Sequence, residues 1–300
     1  MTPLAFLLVL GSAGLHATWN LIAKKSGASL AFYATLALVG FLWSSGVHFF
    51  TPLRFLSMPP AFFVWLAGMA AAEMAYAVGL NLSYRTLDMS VAYPMMRSLP
   101  LLLIAGITTL FGLGEPLTVQ AMIGMAVLFA GCLLMPLKRF SDLKIGNYLN
   151  RGMLCILTVA LGTTLYTVFD KQSQQIMRDA FPQVSKVMIS MTYYSFRATT
   201  LATALWIIVL CLPNTRAEAA EIWRRRSWMP VLAGLCSSLT YFLVLIAMNH
   251  VTNVSYVQAF RQLGLVVGML EGILILKERC TATKVLGIVL IVSGLVMTVV

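Results

Sequence analysis

The chain has 300 residues, 60% of them hydrophobic and only 10% charged, with a formal net charge of +11. Water-soluble domains carry about a quarter charged residues, so a soluble enzyme or binding module is excluded: there are too few polar side chains to cover its surface. The five cysteines form no CxxC pair and accompany no His cluster, which indicates neither a zinc site nor a disulfide framework. No metal or cofactor is expected.

A membrane-spanning helix takes about 20 mainly apolar residues. Ten such stretches occur, near 3–23, 29–50, 61–82, 89–111, 118–137, 152–171, 188–211, 229–248, 254–276 and 283–300. The first is not a secretory signal, because it has no basic leader and no small-residue cleavage site. It carries Ser12, His16, Trp19 and Asn20 at the i, i+4, i+7 and i+8 spacing of one helical face. The third holds Glu73 and Tyr76, and the fourth holds Arg97 between Pro94 and Pro100. The sixth repeats the polar stripe with Thr163, Tyr166, Thr167 and Asp170, continued by Ser173 and Gln174. Arg197 in the seventh is expected to snorkel to the interface. Between the seventh and eighth, Ala217 to Trp228 predicts a short interfacial helix with Trp223 and Trp228 as anchors. The eighth adds Ser237, Thr240 and Tyr241; the ninth adds Ser255, Gln258, Arg261 and Gln262, with Glu271 placed near its interfacial end.

Loop charges give an orientation. Connections 1–2, 3–4, 5–6, 7–8 and 9–10 hold 14 Lys and Arg residues, among them Lys24, Lys25, Lys138, Arg139, Arg224 and Arg225, against Arg54, Lys171, Arg178 and Lys186 in the other four. The positive-inside rule then puts the odd connections in the cytoplasm and both termini outside. The basic run is an orientation signal, and no nucleic-acid partner is expected.

The chain also repeats itself. Glu115-x-x-Thr118 with Gly124 and Gly131 recurs as Glu278-x-x-Thr281 with Gly287 and Gly294 at identical spacing. Arg97 matches Arg261 after a one-residue slip, and Trp19, Lys24 and Ser26 match Tyr166, Lys171 and Ser173. The threonines are expected to cap the fifth and tenth helices, and the glycines to allow close helix contact. The predicted architecture is all-α integral membrane: ten transmembrane helices as two inverted five-helix repeats, 1–137 and 152–300, joined by a cytoplasmic linker, 138–151. An odd number of helices per copy inverts the second copy, which places a solute site at the interface of the halves and predicts alternating access.

Together, the ten stretches, the duplicated unit, the segment LHATWNLIAKKSG and the two GE/KE-x-x-T…G…G endings resemble the EamA-type drug/metabolite transporter superfamily over essentially the whole chain. The resemblance implies carriage of small metabolites, amino acids, nucleotide sugars or drugs. It also implies cytoplasmic termini, opposite to the orientation the loop charges predict.

An arginine near the middle of a spanning helix costs about 2.5–3.5 kcal/mol to insert and normally faces a cavity or a partner. Arg97 and Arg261 therefore read as a cationic site for a carboxylate or phosphate, or else as structural partners of Glu73, Asp170, Glu271 or loose carbonyls. The expected binding set is Arg97, Arg261, His16, Trp19, Asn20, Glu73, Tyr76, Tyr166, Tyr241 and Gln258, with Glu73 and Asp170 as coupling candidates. The function expected is a secondary transporter of a small organic solute, anionic or zwitterionic, in the cell (inner) membrane, as a monomer or homodimer in the lipid bilayer. An exporter of aromatic or cationic compounds, walled by Trp19, Tyr76, Tyr166 and Tyr241, is the alternative. An intramembrane enzyme has no supporting motif: HExxH, a nucleophile elbow and a phosphate loop are all missing.

Overall fold

The structure, a computed structural model, describes residues 2–26, 29–86, 89–135, 137–142, 152–225, 228–276 and 280–298. Lys144, Arg151, Arg226, Lys277, Glu278 and Arg279 lie outside the described residues, as do most of the linker and the side chains of Lys24, Lys25, Arg85, Pro94 and Glu271.

Among the described residues, regular structure is entirely helical. The helices are α1 (Pro3–Ser26), α2 (Leu30–Ser45), α3 (Pro60–Thr86), α4 (Met89–Leu110), α5 (Val119–Leu134), α6 (Gly152–Ala180), α7 (Lys186–Cys211), α8 (Pro213–Arg224), α9 (Met229–Met248), α10 (Val254–Phe260), α11 (Leu263–Leu276) and α12 (Ala282–Met297). Their starts carry local signals. The side chains of Ser29, Thr118, Ser185, Asn253 and Thr281 accept from first-turn amides, satisfying donors the helix itself leaves free. Pro213 and Pro230 occupy first-turn positions, where a missing N–H costs nothing. After α4 the chain turns through Gly112 and Gly114 at positive φ. A Cβ on Gly114 would stand 2.5 Å from the Thr252 carbonyl oxygen, so both conformation and space demand glycine there.

Six of these helical segments are long and apolar enough to cross a membrane, within α1, α2 with the turn after it, α3, α6, α7 and α9. Met96–Leu110, Val119–Leu134 and Ala282–Met297 are shorter apolar helices. The ninth stretch is not one helix. It divides into α10 and α11, with Arg261 and Gln262 in the turn between them. The turn tightens to i→i+3 bonds, Gln262 N to Ala259 O and Gly264 N to Arg261 O. The interfacial helix expected at 217–228 begins earlier, at Pro213. Trp223 and Trp228 are exposed beside it, and hydrogen bonds from Arg225 and Arg224 hold the Glu221 carboxyl below its usual range.

The helices pack as a set of crossings: α3 on α6, α1 on α9, α5 on α12, α2 on α7. Helix α4 lies against α6 and α10, and α1 against α11. Apolar side chains such as Val64, Leu154, Ile207 and Leu274 stand exposed on the outside, the reverse of a soluble protein and what lipid requires. Inside, Phe62, Met69, Met177, Ile189 and Tyr193 are fully buried in the main cluster. Several buried hydroxyls are satisfied within their own helices, as with Thr35 on Ala31 O, Thr164 on Ala160 O and Thr167 on Thr163 O. The α5–α12 crossing is the tightest: Cβ atoms on Gly124, Gly131, Gly287 or Gly294 would come within 2.5–3.0 Å of backbone oxygens across it.

Candidate functional site

A cavity of about 200 Å³ lies among α1, α2, α3, α4, α6, α7, α9 and the α10–α11 turn. Each element delivers part of its wall because its polar residues share one face. Helix α1 supplies His16, Trp19 and Asn20, α3 supplies Glu73 and Tyr76, and α4 supplies Arg97. Helix α6 supplies Thr163 and Tyr166, α9 supplies Ser237, Thr240 and Tyr241, and the last wall is Gln258 and Arg261. All ten residues expected as a binding set on sequence grounds thus meet at one cavity. Asp170 does not reach it. It is fully buried behind the wall, with Thr167, Ser173 and Gln174, so the lower half of the α6 stripe is interior packing.

Three guanidinium groups border this space, in two different electrostatic states. Arg197 does not snorkel: it is 5% exposed, with Nη2 paired to Glu73 Oε2 and Nε 3.4 Å from Asp170 Oδ1. Its guanidinium carbon sits 4.0 Å from the centre of the Tyr241 ring. Asp170 in turn accepts from the hydroxyls of Tyr193 and Tyr241. Burial this deep is tolerable because two carboxylates and an aromatic face replace the lost water. The snorkelling expectation failed because the partners come from α3 and α6, far away in sequence.

Arg97 and Arg261 are compensated less, although the Arg261 guanidinium carbon lies 5.7 Å from the centre of the Tyr241 ring. Among the described residues neither is paired with a carboxylate; Glu73 and Asp170 serve Arg197 instead. Arg97 Nη2 donates to the Arg261 carbonyl at 3.2 Å, and Gln262 Nε2 donates back to the Arg97 carbonyl at 3.0 Å. The Arg261 carbonyl thus accepts twice, from Arg97 and from the Gly264 amide within the turn. Arg261 Nη1 reaches Gln258 Oε1 at 3.3 Å. Arg97 Nη1 lies 3.0 Å from His16 Nε2, and Trp19 Nε1 lies 3.2 Å from His16 Nδ1. Among the described residues, these two guanidinium groups therefore stand at the cavity wall with neutral hydrogen-bond partners.

The aromatic wall is larger than the sequence suggested. Tyr33 and Tyr194 join Trp19, Tyr76, Tyr166 and Tyr241. Tyr33 has apolar neighbours on its own face of α2, whereas Tyr194 stands with Ser190 and Arg197 at the i, i+4, i+7 spacing of one helical face, a signal that could have found it. The rings of Tyr76, Tyr166 and Tyr241 meet edge to face in sequence.

Among the described residues, an all-helical fold with apolar sides turned outward and a polar cavity among its helices is that of a multi-pass membrane protein. The sequence profile of the sugar transport protein family matches residues 61–300, and the chain belongs to that family, one of the drug/metabolite-transporter type. It is accordingly a membrane transporter of small solutes. A solved crystal structure superposes on it with a TM-score of 0.72 at 15% identity, covering 98% of this chain and 96% of that one. At that identity the likeness is one of fold. No curated protein matches the chain.

Proposed function

We propose that the protein is a secondary transporter that moves a small anionic or zwitterionic organic solute by alternating access. One observation carries the reading: Arg97 and Arg261 border one cavity as cations without a carboxylate partner among the described residues. An anionic group on the solute supplies the missing countercharge. The family name points to hydroxylated solutes, and the guanidinium groups select the acidic ones among them. A cavity of about 200 Å³ limits the cargo to a small molecule. The aromatic or cationic alternative is less well served, because the Tyr241 face is already occupied by Arg197.

The ten-span inverted repeat and the EamA-type kinship belong to the same proposal. Supporting them, the packing pattern is nearly self-equivalent when the two halves are exchanged. The α3–α6 crossing corresponds to α9–α1, and α4–α6 corresponds to α11–α1. In α2–α7, α5–α12 and α4–α10 a helix meets its own counterpart. Arg97 and Arg261 are also counterparts, joined through each other's backbone. No nucleotide-binding motif occurs in the sequence, so a gradient or exchange drives the cycle, with Glu73 at the wall as the first coupling candidate and Asp170 reached through Arg197. Uptake of acidic solutes into proteoliposomes is the test. Arg97→Ala and Arg261→Ala should each reduce it about ten- to a hundredfold, the worth of a charged hydrogen bond. Unchanged uptake of every accepted solute by both variants would overturn the anion site.

A further inference from the structure

We infer that His16 and Arg97 together form a two-donor seat for the solute's oxyanion, and that Trp19 selects the imidazole tautomer the seat requires. This rests on the anionic-solute reading above.

The inference comes from a mismatch in the hydrogen bonding around one ring. Two N–H groups converge on the His16 imidazole, Arg97 Nη1 at 3.0 Å from Nε2 and Trp19 Nε1 at 3.2 Å from Nδ1. Guanidinium and indole are donors only, and a neutral imidazole accepts at one nitrogen while an imidazolium accepts at neither. Every protonation state therefore leaves at least one N–H facing another N–H. With the proton on Nδ1, Arg97 is satisfied and the Trp19 indole is not. With the proton on Nε2, Trp19 is satisfied, and the Nε2–H of His16 and the Nη1–H of Arg97 both need an acceptor between them.

The empty cavity favours the first arrangement, because the bond from a charged donor is the stronger one. An oxyanion at the cavity wall favours the second. It takes the Nη1–H of Arg97 and the Nε2–H of His16 together, and Nδ1 then turns wholly to Trp19. No side chain at the wall can play this part: Glu73, the carboxylate there, is held by Arg197. Among the described residues, Arg97 Nε is likewise buried without a partner. A hydroxyl oxygen can accept both N–H groups but brings no charge to answer Arg97, and an ammonium accepts nothing. The seat thus selects a carboxylate or a phosphate ester on a small solute, and His16 serves as a tautomer switch that needs no change of charge.

The test is nitrogen NMR of the full-length protein in nanodiscs with ¹⁵N-labelled histidine, the His16 signals being assigned by their loss in His16→Gln. Glucuronate and glucose 6-phosphate are titrated as carboxylate and phosphate probes, with glucose as the neutral control and thermal stabilisation read in parallel. The expected result is that a binding acid moves His16 from the Nδ1–H to the Nε2–H pattern, that glucose does not, and that Trp19→Phe abolishes the shift while weakening acid binding about tenfold. Acid binding with an unchanged His16 tautomer would overturn this inference and leave the anionic-solute reading standing. Stabilisation by glucose alone, or by none of the three, would overturn both.

Discussion

Replacing Arg197 by Leu isolates two carboxylates, and the structure says which of them suffers more. Asp170 keeps the hydroxyls of Tyr193 and Tyr241 as donors. Glu73 loses the one hydrogen bond it makes among the described residues. Removing one member of a buried ion pair costs about 3–5 kcal/mol. Glu73 is 15% exposed at the cavity wall and can recover some hydration there, which puts its share near the lower end. Loss of the guanidinium–Tyr241 contact at 4.0 Å adds about 1 kcal/mol. The sum, near 4 kcal/mol, corresponds to a fall of roughly 10 °C in Tm. Thermal unfolding in detergent, followed by loss of the monodisperse peak on size-exclusion chromatography, measures it for the single variant and its charge-neutralised derivatives. Arg197→Leu combined with Glu73→Gln should recover most of the loss, and Arg197→Leu with Asp170→Asn little of it. Equal recovery by both, or a larger recovery through Asp170→Asn, would refute this assignment of the charges.

Two further outcomes follow from the packing and from the loops. Gly294→Ala places a Cβ 2.5 Å from the Gly124 carbonyl oxygen and 2.6 Å from the Leu128 amide; backbone cannot yield, so a loss of about 1–3 kcal/mol is expected, whereas Gly106→Ala, with nothing within 4 Å of its Cβ, should be neutral or stabilising in the same melt. The loop charges place the C-terminus outside, so a C-terminal alkaline phosphatase fusion should be active and a fluorescent-protein fusion dark, and the reverse pattern would show that the charge asymmetry was misread.

Helical class and the convergence of the polar stripes were readable in the sequence because both depend on local periodicity. His16, Trp19 and Asn20 share a face of α1 whatever packs against it, and the same holds for Thr163 and Tyr166 on α6. Pairing was not readable. Nothing near Arg197 in sequence announces Glu73 or Asp170, which reach it from two other helices. Nor does the segment VQAFRQLG advertise the break at Arg261: it has no proline, and the Asn253 cap marks only where α10 begins. The turn is sustained by tertiary bonds, with Gln262 on the Arg97 carbonyl and Arg97 on the Arg261 carbonyl. Tyr33 escaped notice because a tyrosine among apolar neighbours is indistinguishable from a packing residue until the opposite wall is known, whereas Tyr194 shares a helical face with Ser190 and Arg197 that could have marked it.

The glycine-lined crossing of α5 and α12 has a consequence for movement. Side chains that interdigitate can exchange rotamers and let two helices slide, but here backbone lies on backbone, with Gly124 against Gly294 and Gly131 against Gly287. Translation along either axis would drive the Cβ of a neighbouring residue into a carbonyl oxygen, which leaves rotation about the contact as the freer movement. In the proposed cycle the two halves would therefore share a fixed pivot at their final helices, and the widest displacements would fall on α1, α3, α6 and α9, the helices that carry the cavity wall.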